Sequence, residues 1–191
     1  MNNKPVASLS QNISRFRRSR SGLAALEFSF IAPVMIFLFF VVVEGSDAIS
    51  AGRRVTLGAN TLADLVSQAP SVSAADLNGL FQGIETIIGS SDADSTLRVV
   101  SIEFDDAQGQ PAVVWSRDDD GGEPYAPGTP YTQLTDATVL DDTETVIIAE
   151  VQFAYKSNLT KVLIDNITMD RAATRWPRNA SGVSFCSASC N

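Results

Sequence analysis

Residues 23–43 form a run of 21 positions with a single charged side chain, Glu27, and no other feature limits the architecture of this chain as strongly. Residues 28–43 alone supply 16 uncharged positions. About 20 apolar residues in a helix cross a hydrocarbon core of roughly 30 Å, so the run predicts one membrane span. Pro33 interrupts it and bends a helix there, which a membrane helix accommodates where neighbouring groups satisfy the freed carbonyl. A cleavable secretory signal is the competing reading, with small residues around Ser46, Ala48 and Ala51 as a cut site. Its apolar region of about 7–15 residues is shorter than this run and has no place for an acid, so the anchor reading is preferred.

Glu27 needs a partner. An ionised acid at the centre of a membrane helix costs roughly 3 kcal/mol on insertion scales, and one near the end still calls for compensation. If the chain were cut after Gly22, Leu23 would carry a new ammonium group. Glu27, four residues on, would then lie one helical turn away on the same face. A Glu27 that snorkels to the cytoplasmic interface is the structural alternative.

Charge fixes the orientation of this span. Lys4, Arg15, Arg17, Arg18 and Arg20 precede the candidate cut without an Asp or Glu among them. From Leu23 onward, 14 − 5 = 9 basic residues face 22 acids, a balance of −13. Basic flanks stay in the cytoplasm, so the acidic bulk is expected across the membrane, and an acidic chain of this kind excludes nucleic acid as a partner.

Val55, Ala59, Leu62, Val66 and Ala69 recur at helical spacing with Leu65 beside them, so the helix is expected to continue past the membrane and to end before Pro70. From Leu23 to Gln68 it would cover 46 residues, roughly 70 Å. Ser73 and Asp76 give a capping signal. Leu77, Leu80, Phe81, Ile84, Ile87 and Ile88 then line one face of a second, amphipathic helix that stops at Gly89 and packs on a sheet. Residues 97–104 alternate as a strand, residues 111–115 form its hairpin partner, and residues 145–155 and 167–175 supply two more strands, with a short helical turn over residues 159–164. Residues 117–135, rich in Gly and Pro and containing Tyr125 and Tyr131, are expected to be an exposed loop. The expected fold is α+β: a long membrane-spanning helix, a second amphipathic helix and a small, mainly antiparallel four-stranded sheet. The expected organisation is a basic cytoplasmic leader (1–22), a transmembrane and extended spine helix (23–69) and an extracytoplasmic α+β domain (70–191).

The motif Gly22-Leu23-Ala24-Ala25-Leu26-Glu27-Phe28 resembles the processing site of prepilin-like proteins, with Gly before the cut and Glu at mature position five. With Ala32-Pro33 in the apolar run, Glu44-Gly45, Val114-Trp115-Ser116, the Tyr125 to Tyr131 loop, the Glu150-containing strand and Arg175-Trp176-Pro177-Arg178, most of the chain is similar to the TadE/TadG-like proteins of the tight-adherence (Tad, or Flp) pilus machinery. Leu23 stands where type IV pilins usually have Phe, and Pro33, at mature position eleven, precedes their usual bend. The resemblance implies a pilin-like or pseudopilin-like fold and a minor pilin or pseudopilin that assists pilus initiation, assembly or adhesion. It implies processing by a prepilin peptidase between Gly22 and Leu23 and a register-setting role for Glu27. The implied partners are other pilin or pseudopilin subunits, the inner-membrane assembly platform and the lipid membrane. The implied location is the bacterial inner membrane, single-pass with a cytoplasmic N-terminus, with later passage into the extracellular pilus. An uncleaved single-span envelope protein that binds a partner or a surface is the alternative reading.

Other side chains carry less. Glu44 and Asp47 read as interfacial charge. The acidic stretch from Asp118 to Glu123 lacks the spacing of a calcium loop and reads as a solvated loop. Cys186 and Cys190 are the only cysteines and are expected to close a short disulfide on the oxidising side of the membrane. The chain has no His, which excludes Ser-His-Asp and Cys-His catalysis, and no phosphate-binding glycine loop is present. Neither an enzyme nor a cofactor site is expected.

Overall fold

The computed structural model describes residues 21–89, 94–134, 140, 145–156, 167–179, 181–187 and 190. The basic leader and the helical turn expected over residues 159–164 lie outside them. The elements run α1 (Ser21–Gln68), β1 (Ser71–Ser73), α2 (Ala74–Ile88), β2 (Ser95–Asp105), β3 (Gln110–Asp118), β4 (Thr145–Tyr155), β5 (Ile167–Arg175) and β6 (Ser184–Cys186), an α+β fold. Contacts divide the chain into two compact units between Gly45 and Ser46.

The first unit is helical over its described residues and leaves its apolar side chains uncovered, Phe28 and Phe30 being 70 % and 72 % exposed. In the second unit, α1 buries Ala51, Val55, Ala59, Leu62, Ala63 and Val66 at helical spacing, while Leu65 is 42 % exposed. Gly58 marks its closest approach to α2: a Cβ there would stand 3.1 Å from Ile84 Cγ2 and 3.2 Å from Ile88 Cγ1. Ser73 caps α2 in a reciprocal box. Its Oγ accepts from the Asp76 amide, and the Asp76 carboxylate accepts from the Ser73 amide. The Ser73 hydroxyl, donating to Asp76 Oδ2 at 2.6 Å, and then the Ser73 amide hold the Asp76 carboxyl below its ordinary range. At the other end Gly89 adopts the left-handed conformation (φ 75°), which glycine alone reaches without strain. Leu77, Phe81, Ile84 and Ile88 form the buried stripe. Ile87 falls outside it at 37 % exposure, because it points away from the face that α2 turns to the core.

The sheet order is β3-β2-β4-β5, with every neighbouring pair antiparallel. Leu97, Val99, Ile147, Ala149 and Val151 face the helices, and Val100, Ile102, Val146 and Ile148 face a second core on the other side. Burial on both faces accounts for the near-continuous apolar runs in β2 and β4. In β3 a bulge intervenes: Trp115 pairs with Ser101 and Val113 with Ile102, leaving Val114 as the extra residue. The bulge turns Trp115 toward the helix-side core and Val113 toward the other, although both are odd-numbered.

Most of residues 119–134 are exposed, as expected, but Tyr131 is not. Tyr131 is 5 % exposed and joins the second core, with Tyr125 and Leu134 packed against it. The same segment covers the outer edge of β3, since the Val113 amide donates to Thr129 O (2.9 Å) and the Gly128 and Tyr131 amides donate to Val113 O and Pro111 O. An edge strand left open invites pairing with another chain, and this loop closes it. A two-stranded parallel pair, β1 with β6, was not evident in the sequence because three-residue strands carry no periodicity.

Candidate assembly site

Gly22, Leu23 and Glu27 all lie within α1 and all are exposed. A Cβ built on Gly22 would meet nothing within 4 Å, so nothing in the fold requires glycine there. The four-residue spacing puts Leu23 and Glu27 on one helix face. Around them Leu26, Phe28, Ile31, Met35 and Phe39 are each more than half exposed, so the apolar surface is not confined to one side. In water such a surface would drive aggregation, whereas a bilayer and neighbouring helices cover it. Among the described residues, α1 is the one helix long and apolar enough to cross a membrane. Glu44 is 2 % exposed. Asp47 is exposed.

A polar cluster outside α1 holds the outer loop. Glu150, an acid within an otherwise apolar strand, accepts a hydrogen bond from Tyr131 Oη at 2.5 Å and from Tyr125 Oη at 3.0 Å. Gln133 Nε2 donates to Tyr125 Oη, and Arg98 Nη1 lies 3.7 Å from the carboxylate. The two tyrosine rings meet edge to face, their centroids 5.6 Å apart. Burial, followed by the Glu150 carboxylate, raises both phenols above the ordinary value of 10.0. A neutral phenol favoured by the fold supports stability fully below pH 10, and that support is lost as pH rises and the unfolded chain ionises first. Absorbance titration at 295 nm is therefore expected to show Tyr131 ionising only with alkaline unfolding. A Tyr131→Phe variant should lose that late component while the earlier absorbance change remains. This cluster clamps a loop, and its only sequence signal was a lone acid in β4.

The C-terminal segment is held as firmly. Trp115 Nε1 donates to Val183 O at 2.7 Å, and the Arg117 guanidinium lies 4.1 Å over the Phe185 ring while pairing with Glu123 at 2.5 Å. Cys186 and Cys190 are joined in a disulfide, with a Cα separation of 5.6 Å. In the acidic loop, Asp118 Oδ1 accepts from the Gly122 amide and Asp119 Oδ2 from the Leu97 amide. Burial raises the Asp119 carboxyl, so this acid is less solvated than the sequence suggested.

The exposed apolar helix carries the Gly22–Glu27 motif and is long and apolar enough to cross a membrane. Residues 22–64 match the family model described as TadE-like protein, so this segment carries a TadE-like domain. The one such helix among the described residues is consistent with a single-pass membrane protein. Neither a curated protein nor a solved structure gives a significant match.

Proposed function

We propose that this chain is a minor pilin or pseudopilin of a Tad pilus, cut between Gly22 and Leu23 by a prepilin peptidase and assembled through its N-terminal helix. The observation that carries the reading is Glu27, exposed on a helix with uncovered apolar side chains and four residues from Leu23. In this reading residues 1–22 are a cytoplasmic leader, residues 23–69 the anchor and spine, and residues 70–191 a periplasmic domain. The new ammonium of Leu23 and the Glu27 carboxylate of the same or a neighbouring subunit compensate each other in low dielectric, which fixes axial register. Ala24, Ala25, Ser29 and Ala32 permit close helix approach, so dispersion between helices adds to the ion pair. Partner subunits and the inner-membrane platform supply the neighbouring helices.

Because a Cβ at 22 would meet no atom, Gly22→Leu tests recognition without disturbing the fold. Co-expression with a prepilin peptidase is expected to shorten the parent by 22 residues and to leave the variant full length. Equal processing of both chains would contradict the assigned cut.

A further inference from the structure

The four-stranded sheet has two edges, and the fold covers one of them. Residues 126–131 close the outer side of β3, whereas among the described residues no backbone hydrogen bond reaches β5 from outside the sheet. Leu97 gives its N–H and its carbonyl to Asp119, on the β3 side of β2. Alternation across β2 and β4 then directs residues 169, 171 and 173 of β5 to β4, and turns the backbone groups of Thr168, Asp170, Ala172 and Thr174 outward. Two of those carbonyls take a substitute donor from the next side chain, Arg171 Nη1 to Asp170 O at 2.6 Å and Arg175 Nη1 to Thr174 O at 2.8 Å. Thr168, Asp170 and Ala172 are exposed.

A groove flanks this edge on each face of the sheet. On the helix side about 630 Å³ opens between α1 and β5, walled by Ile49, Gly52 and Arg53 and by Ile167, Met169 and Arg171. On the other side about 510 Å³ opens beside Arg98, Gln133, Gln152 and Asp170. The first groove combines apolar side chains with two exposed arginines that have no ion-pair partner among the described residues, and the second is polar. A Cβ on Gly52 would meet only Met169 Sδ, at 3.7 Å, so the missing side chain keeps the first groove open without being demanded by packing.

We infer that β5 accepts an extended segment of another protein as an added antiparallel strand, and that this segment reads acid-x-apolar-x-apolar from its N-terminus. A strand laid along β5 lies about 4.8 Å away and sends alternate side chains to the two faces, so it fills both grooves while its backbone takes the outward groups of β5. In antiparallel pairing the residue opposite Arg171 comes two before the one opposite Met169 and four before the one opposite Ile167, and all three share the helix side. The acid therefore meets Arg171 and Arg53, and the two apolar side chains meet Ile49, Met169 and Ile167. The residues between them are polar and face Asp170 and Gln152. A second copy of this chain cannot supply the acid through its own β5. In a two-fold antiparallel pair of identical strands, facing residues are both odd or both even, so Asp170 never stands opposite Arg171. β5, residues 48–56 of α1 and the polar groove all belong to the second unit, so the site stands without the membrane span and without the role given to Glu27.

The probe is a fluorescently labelled peptide, Lys-Ser-Glu-Thr-Ile-Thr-Val-Ser-Lys, titrated with the full-length chain in detergent and followed by anisotropy, with empty micelles as the blank. Saturable binding is expected. Proline in place of the first threonine of the peptide, which exchanges backbone hydrogen bonds with Asp170, should abolish it. In the protein, Ala172→Pro removes an outward N–H without touching the ladder to β4, and should weaken binding at least about tenfold. Gly52→Leu fills the helix-side groove and leaves the edge intact, and should weaken it at least about tenfold as well. Arg53→Gln combined with Arg171→Gln should cost about fivefold, and should cost nothing further once the peptide's glutamate is replaced by glutamine. The absence of saturable binding, equal binding of the proline peptide, or unchanged binding in either Ala172→Pro or Gly52→Leu would overturn the inference. So would a dimer of the chain itself, seen by sedimentation and dissociated by Ala172→Pro, since that assigns the edge to a second copy.

Discussion

Glu27→Ala is expected to leave cleavage after Gly22 intact and to reduce pilus assembly by about a hundredfold or more. Removing one partner of a desolvated ion pair costs roughly 3–5 kcal/mol, because the other charge remains buried and uncompensated, and each 1.4 kcal/mol is a factor of ten. In the variant that stranded charge is the Leu23 ammonium. In the proposed processing the cut follows Gly22, five residues away, and Glu27 makes no contribution to the packed core of the second unit. Counting pili by electron microscopy, beside an immunoblot for the processed form, reads both quantities in one strain. Normal piliation would show that the carboxylate does not set register, and loss of processing would show that it acts earlier, in peptidase recognition.

Phe81→Ala is expected to destabilise the second unit by about 3–5 kcal/mol, the range for removing a buried aromatic side chain from a core. Phe81 is 2 % exposed and belongs to the cluster that joins α1, α2 and the inner face of the sheet. For a domain of this size such a loss lowers the thermal midpoint by roughly 10 °C. Ile87→Ala, six residues further along the same helix, should cost below about 1 kcal/mol because its side chain is already 37 % exposed. Calorimetry of the two variants would measure the difference, and equal shifts would mean that α2 packs by a face other than the one described.

The elements with a strong period were legible in the residues. Val55, Leu62 and Val66 placed the core face of α1, the Ser73 and Asp76 pair started α2, Gly89 ended it, and β4 and β5 took the bounds that their apolar content suggested. What escaped had physical reasons. Residues 119–134 have turn chemistry throughout, and turn chemistry describes backbone conformation without revealing that Tyr131 and Tyr125 fold back onto a carboxylate in β4. β1 and β6 gain their pairing from each other across more than a hundred residues, and no local pattern encodes that. The bulge at Val114 reverses the parity of Trp115, so simple alternation assigns one of the two neighbours to the wrong face. The candidate assembly site rests only on the spacing of Gly22, Leu23 and Glu27 along one helix and on the apolar run that follows, and the structure places all three, exposed, on α1.

That run also explains why so much apolar surface persists. A 48-residue helix with Pro33 inside it and exposed Phe, Ile and Val residues along its first half is unsuited to water, and the TadE-like match covers residues 22–64 of it. The second unit contributes a covered β3 edge, a clamped loop and a tethered C-terminal segment, features that oppose aggregation through its strands.

Intact mass of the protein isolated from its native membrane decides whether Leu23 ever becomes an amine opposite Glu27. A polypeptide that begins at residue 23 is the expected result. One that still begins at Met1, or that begins beyond residue 45, would contradict it.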